Sequence, residues 1–248
     1  VALAKAIDAE VCEIYTDVDG VYTADPRIVE NAKKLNDISY GEMLELASLG
    51  AEVLHPRSVE IAKEYNIKLA VRSSFNNSEG TYIKEVSELE KVNVVSGVTC
   101  NKNEVKFTLL GVPDKPGIAS RVFSELAEVG INVDMIIQNI HYNDVNDITF
   151  TIDHEDFEQA HSILEELKDK LNYRELISDV NVAKVSIVGA GMSTNPGVAA
   201  RMFEALGRDE VNIEMISTSE IKVSCLIEES EADQAVEAIH NEFELDED

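Results

Sequence analysis

Gly111-Val-Pro-Asp-Lys-Pro-Gly-Ile-Ala-Ser-Arg-Val-Phe123 decides the fold, because the chain carries it twice. Shifted by 80 positions it lies over Gly191-Met-Ser-Thr-Asn-Pro-Gly-Val-Ala-Ala-Arg-Met-Phe203 without a gap. The register runs on from Ile131-Asn-Val-Asp-Met-Ile136 to Val211-Asn-Ile-Glu-Met-Ile216. Ten positions between 111 and 136 are identical: Gly111, Pro116, Gly117, Ala119, Arg121, Phe123, Leu126, Asn132, Met135 and Ile136. Chance would leave about one or two, so the second half of the chain is a duplicated module.

Each copy reads as the same series of elements. Apolar or alternating segments at 105–110 and 185–188 read as strands. A Gly/Pro loop follows, and Ile118, Val122, Leu126 and Val129 then fall at helical spacing as one apolar stripe. Second strands are expected at 131–138 and 211–217, third strands at 147–152 and 220–227, and closing helices at 157–171 and 232–243. The order β-α-β-β-α, with room for a last strand, is that of a small ferredoxin-like α/β sandwich, βαββαβ.

Bulk properties narrow the function. The chain has 248 residues and a net charge of −27, which argues against nucleic acid and anionic membranes as partners. Residues 1–100 carry 10 Lys/Arg and 17 Asp/Glu, whereas 101–248 carry 11 and 31, so a polyanion sits more easily in the first part. No apolar run approaches a membrane span, and the N-terminus lacks the pattern of a signal peptide. Cys12, Cys100 and Cys225 are odd in number and far apart, and read as reduced core cysteines of a cytoplasmic protein. Val1 opens a helical pattern without a cap, so a preceding segment is expected.

Outside the repeat, Thr16-Asp-Val-Asp-Gly-Val-Tyr-Thr-Ala-Asp-Pro-Arg27 stands out. It is not an EF-hand, because Gly20 directly follows Asp19 and Pro26 stands where the closing Glu would be. An Asx-rich surface turn is the ordinary meaning of Asp-Gly. Yet residues 11–16 form a β-branched and aromatic strand preceded by a helix, and a loop at such a strand end is a favoured ligand position in α/β sheets. No metal-ligand set is legible: His154 and His161 are seven apart without partners at fixed spacing. His55 before Pro56 reads as structural, and 39–50 as an ordinary core helix with Gly50 at its C-terminal end.

These residues carry a resemblance. Asp114-Lys-Pro-Gly117, Ile131-Asn-Val-Asp134 and their tandem arrangement resemble the paired ACT domains of bacterial aspartokinases. Cys12-Glu-Ile-Tyr-Thr-Asp-Val-Asp-Gly-Val-Tyr-Thr-Ala-Asp-Pro-Arg27 resembles the ATP-binding segment of the same family, as do Leu54-His-Pro-Arg-Ser58, Val71-Arg-Ser-Ser-Phe75 and Glu79-Gly-Thr81. The resemblance implies the C-terminal part of an amino-acid-kinase α/β sandwich at 1–83, a linker at 84–93, and ACT domains at 94–176 and 177–248.

By that resemblance Thr16 and Asp17 contact nucleotide, Tyr22 packs near it, and Arg27 reaches its phosphates or ribose. Glu52 stands where the family commonly has Lys, a charge reversal at a nucleotide contact. The effector site is implied at Asp114, Lys115, Pro116, Gly117, Ile118, Ala119, Asn132, Val133, Asp134 and Gln138, and in the second copy at Asn212, Ile213, Ser219 and Glu220. The chemistry is reasonable, since amides at a helix start attract a carboxylate while Asp114 or Asp134 holds an ammonium.

The implied activity is transfer of the γ-phosphoryl group of ATP, with Mg²⁺ in the complete enzyme, to the side chain of L-aspartate, under feedback from lysine and/or threonine. The family's Lys-Phe-Gly-Gly segment is absent from these residues, so no catalytic residue is assigned. The alternative is a non-catalytic regulatory subunit paired with a longer catalytic chain; a homo-oligomer joined through ACT domains is the other implied assembly.

Overall fold

The computed structural model describes residues 1–51, 53–88, 93–140 and 145–247. The chain divides into two compact units, one of 1–101, 184–227 and 231–248, the other of 102–183 with 228–230. Each is built around its own apolar clusters.

In the first unit, α1 (Ala2–Ala6) leads into β1 (Cys12–Thr16), and β2 (Asp37–Ser39), β3 (Leu69–Ser73) and β4 (Thr81–Lys84) complete a sheet of order β1-β3-β4-β2. β1 and β3 run parallel from Cys12 opposite Leu69 to Thr16 opposite Ser73; β3 and β4 are antiparallel. Two helices, α2 (Tyr40–Ser48) and α3 (Pro56–Tyr65), cover one face with a core that includes Ile38, Met43, Leu46, Val59, Leu69, Val71 and Ile83. α2 begins on a capping box, in which Ser39 Oγ accepts from Glu42 N while the Glu42 carboxylate accepts from Ser39 N. His55 is the N-cap of α3, its Nδ1 accepting from Arg57 N at 3.2 Å.

The second unit holds the first repeat copy: β5 (Gly97–Pro113) from Lys102 onward, α4 (Ile118–Glu128), β6 (Ile136–Ile140), β7 (Val145–Asp153), α5 (Phe157–Leu171) and the start of β8 (Glu175–Val188). Its strands follow the order β6-β7-β5-β8, the βαββαβ sandwich expected from the sequence. Phe107, Phe150 and Phe157 stack at 5.8 and 5.7 Å, and Phe123 meets Phe150 edge-on at 5.3 Å. The second copy, in the first unit, uses the end of β8 with α6 (Val198–Arg208), β9 (Met215–Thr218), β10 (Lys222–Glu228) and α7 (Ala232–Glu242). Val95 and Val98 join its core beside Val185, Ile187, Met202 and Ile239.

Several sequence expectations shift. The second strands begin at Ile136 and Met215 rather than at 131 and 211. The preceding stretches meet their neighbours through a few bonds next to the strand start: Asp134 N to Thr151 O and Thr151 N to Met135 O in the first copy, and Glu214 N to Leu226 O in the second. Val129 drops out of the apolar stripe, because it is the C-cap of α4 and 44% exposed. β5 runs well past 105–110 at both ends.

Both Gly/Pro loops close in the same way. Gly117 (φ 90°, ψ −4°) and Gly197 (φ 97°, ψ −4°) are the N-caps of α4 and α6, in left-handed backbone. No atom lies within 4 Å of where a Cβ would be at either glycine, so backbone conformation alone selects Gly. Ala at either position is expected to cost about 1–2 kcal/mol, and Asn less. Urea denaturation compares them; equal losses for Ala and Asn would show that left-handed backbone is not the cause.

Candidate functional site

The loop after β1 forms one wall of a cavity of about 430 Å³ within the first unit. Asp17, Tyr22, Asp25 and Arg27 line it from the loop, Leu46, Gly50, Ala51 and Val53 from α2 and its exit, and Val98, Thr99 and Cys100 from β5. Thr16 is not part of the lining; its Oγ1 donates to Asp17 Oδ1 at 3.0 Å. Glu52 lies outside the described residues.

Within the loop the polar groups are already engaged. Tyr22 donates to Asp19 Oδ1 at 2.7 Å, and Lys34 approaches Asp19 Oδ2 at 3.3 Å. The Tyr22 bond first, and then Lys34, hold the Asp19 carboxyl below its usual range. The same bond pushes the Tyr22 phenol up to about 12. Arg27 grips Asp25 through Nε at 3.0 Å and a terminal nitrogen at 2.6 Å. With the Arg27 side chain 88% exposed, that pair adds little stability. Its consequence is geometric: the guanidinium is turned toward its own loop.

Thr23 anchors the loop from behind. Its Oγ1 accepts from Lys33 N at 3.0 Å and lies 2.9 Å from Nε2 of His240 on α7. His240 is fully buried, and burial draws its pKa below the ordinary value, partly opposed by Asp246.

The second unit contains a cavity of about 330 Å³ at the start of α4. Asp114, Lys115, Pro116, Gly117, Ile118 and Ala119 line it together with Gln138, Asn146 and Ile148. Asn146, 3% exposed, donates from Nδ2 to Asp114 Oδ1 at 2.9 Å; its Oδ1 has no hydrogen-bond partner among the described residues. A buried acceptor of this kind is costly unless something donates to it. The cavity therefore brings together a carboxylate, an amide oxygen and the amides of a helix start.

Asn132, Val133 and Asp134 are not part of that lining, although they lie just before β6. Asn212, Ile213, Ser219 and Glu220 line neither cavity; Ser219 and Glu220 form the turn between β9 and β10, where Ser219 N donates to Lys222 O at 2.8 Å. Sequence reasoning missed Asn146 and Thr99. The available signal for Asn146 was its place in Asn146-x-Ile148-x-Phe150, an amide on the inward side of an alternating strand.

The architecture defines a class, an amino-acid-kinase segment followed by two ACT domains. The amino acid kinase family model matches residues 1–73, and ACT domain models match 107–172 and 185–243. Over 248 residues the chain is 49% identical to an aspartokinase of Pseudomonas aeruginosa, covering 99% of this chain and 60% of that protein. Aspartokinase III of Escherichia coli matches over 97% of this chain in two structures. One, in complex with aspartate and ADP (R-state), has 29% identity, a TM-score of 0.81 and 54% of that chain covered. The other, in complex with lysine and aspartate (T-state), has 30% identity, a TM-score of 0.76 and 53% of that chain covered. The regulatory subunit of aspartate kinase from Thermus thermophilus is 40% identical, with a TM-score of 0.58; the match covers 61% of this chain and 99% of that one. The chain belongs to the aspartokinase family, and it spans about three fifths of the length of the curated relatives it matches. Among the described residues no helix is long and apolar enough to cross a membrane.

His240 yields a prediction for pH. Unfolded, it takes up a proton near its ordinary value of about 6.5; folded, it resists until lower pH. The unfolded state therefore binds more protons in that window, and stability falls as pH drops below about 6.5. His240→Gln should lose less stability than the parent between pH 7.5 and pH 5.5. Parallel urea midpoints for the two proteins would exclude this role.

Proposed function

We propose that this chain supplies the nucleotide loop and the sensor region of an aspartate kinase, which moves the γ-phosphoryl group of ATP to the side-chain carboxylate of aspartate. The first cavity takes nucleotide against Asp17 and Tyr22, with Arg27, held by Asp25, on its ribose side. Phosphoryl transfer needs positioned cations more than covalent help, and Mg²⁺ is expected in the complete enzyme. The complex of E. coli aspartokinase III with aspartate and ADP supports this reading.

The second cavity takes a free amino acid, lysine or threonine. One observation carries this: Asp114 to Ala119, Gln138 and Asn146 all line a single cavity. The ligand carboxylate meets the amides at the start of α4, and its ammonium meets Asp114 and Asn146 Oδ1. Lysine in the second E. coli structure supports the ligand class. The sensor copies are assigned to 94–176 and 177–248 and are joined to the kinase segment 1–83 through 84–93, of which 89–92 lie outside the described residues. A cytoplasmic dimer through ACT edges is the assembly proposed. A purely regulatory subunit is the second reading, favoured by the near-complete match to the Thermus subunit; the kinase-family segment at 1–73 favours the first.

Two outcomes follow. The purified 248-residue chain should show no ATP-dependent aspartate turnover above background. Asp114→Ala should weaken lysine or threonine binding by roughly tenfold or more while the fold survives, as expected for a hydrogen bond to a charged group. Calorimetric titration with each amino acid, and both together, measures this; an unchanged affinity would remove Asp114 from the site.

A further inference from the structure

The two repeat copies put equivalent positions to different uses. Ile136 faces Phe150 in the first copy and Ile216 faces Cys225 in the second, so Asn146 and Asp147 correspond to Ile221 and Lys222. In the first copy Asn146 lines the open cavity, and Asp147 Oδ1 accepts from Gly111 N at 2.8 Å. In the second copy these positions meet helix α2 instead. Lys222 pairs with Glu45 at 3.0 Å, and a Cβ on Gly41 would lie 3.6 Å from Ile221 Cδ1. The loop after β8 is also held, since Ala190 N donates to Glu42 Oε1 at 2.8 Å.

Glu42 has further partners. It is 1% exposed, and Ser96 Oγ donates to the same Oε1 at 2.7 Å, while Ser39 N and Ser39 Oγ donate to Oε2 at 3.1 and 2.6 Å. A buried carboxylate demands such a set of donors. Here they come from the end of β2, the approach to β5 and a loop 148 residues away. The loop is seated closely: a Cβ at Gly189 would fall 2.1 Å from Val94 O, and Gly191 N donates to Asn93 O at 3.0 Å. The other end of α2 reaches the first cavity through Leu46, with Gly50 just beyond the helix.

We propose that Glu42 couples the second copy's loop, residues 189–195, to helix α2, making that copy a relay into the wall of the 430 Å³ cavity rather than a second open binding site. The regulatory meaning of the relay rests on the function proposed above; the mechanical coupling does not. Movement of the loop withdraws the Ala190 amide from Glu42, which loosens the capping box and the helix that carries Leu46. Movement of the helix acts on the loop through the same carboxylate.

Amide hydrogen exchange of the 248-residue chain, read by mass spectrometry, tests the coupling from both ends. Ala190 is the first residue of a short 3₁₀ turn, and Gly189 before it is extended (φ −175°, ψ 129°). Proline suits the backbone there, and its ring Cδ takes the place of the proton, so it both removes the N–H and evicts the Glu42 carboxylate from the contact. Ala190→Pro is expected to speed exchange about tenfold in the first turn of α2, the scale of one lost charge-assisted bond. Glu42→Gln places an amide donor among donors, and should speed exchange by a similar factor across residues 189–195. Changes confined to the substituted element in each variant would overturn the proposal and leave Glu42 as a helix cap alone. If Glu42→Gln does not fold, Ala190→Pro decides by itself. Neither arm uses an amino acid or a nucleotide, so a chain that binds neither lysine nor threonine would refute the proposed function without altering this result.

Discussion

Backbone hydrogen bonding of residues 21–23 is the constraint on which the first unit depends. The segment is buried, so its N–H and C=O groups need partners. Val21 N donates to Thr81 Oγ1, Val21 O accepts from Leu35 N, Thr23 N donates to Lys33 O, and Thr23 O accepts from Val98 N. One short stretch therefore ties together the end of the loop, the segment at 33–35, β4 and the start of β5. An acidic loop with an Asp-Gly turn would otherwise be a mobile surface feature. Pinned from behind, it presents Asp17 and Tyr22 to the cavity in a fixed arrangement, because the ordering entropy is met by bonds that the fold already needs.

Duplication gives two copies of one backbone, but their surroundings set what each can do. Gly117 and Gly197 have nearly the same dihedral angles, and Leu126 and Leu206 fill the same core position. The difference lies at the loop and at the third strand. Asn146 and Asp147 are polar and serve their own copy, whereas Ile221 and Lys222 suit an apolar and acidic neighbour, and find it in Gly41 and Glu45. A charge reversal between repeat mates, Asp to Lys, is thus explained by a change of partner rather than by drift.

The sequence revealed the repeat readily because an unbroken 80-residue shift does not depend on local propensity. α5 was legible to the residue, since Phe157 to Leu171 keeps helical spacing between polar boundaries. β5 was read too short: Asn101-Lys-Asn-Glu104 is polar and resembles a loop, yet it lies within a continuous strand. The second strands were read too long because Ile131-x-Val133-x-Met135 alternates like a strand, while the paired ladder to β7 begins only at Ile136. Asp114 to Ala119 and Gln138 were implied by the family resemblance; Asn146 sits in Asn-Asp-Val-Asn-Asp, which reads as a turn. Glu42 was invisible for another reason. Ser39-x-x-Glu42 reads only as a local capping box, while its other partners lie 54 and 148 residues away, and no local pattern reports such a distance.

Charge at the first cavity bears on the proposed nucleotide. Its loop wall carries Asp17 and Asp25 against a single Arg27, and that guanidinium is held by Asp25, whose carboxyl is drawn below its usual range by the pair. Moving Arg27 onto phosphate would leave Asp25 beside the same anion, so the exchange gains little at an exposed site. The apolar portion of the lining, Leu46, Val53 and Val98, suits a base or ribose better than a triphosphate. The arrangement thus favours a wall that orients the nucleoside end, with compensating cations for the phosphates supplied from outside this loop.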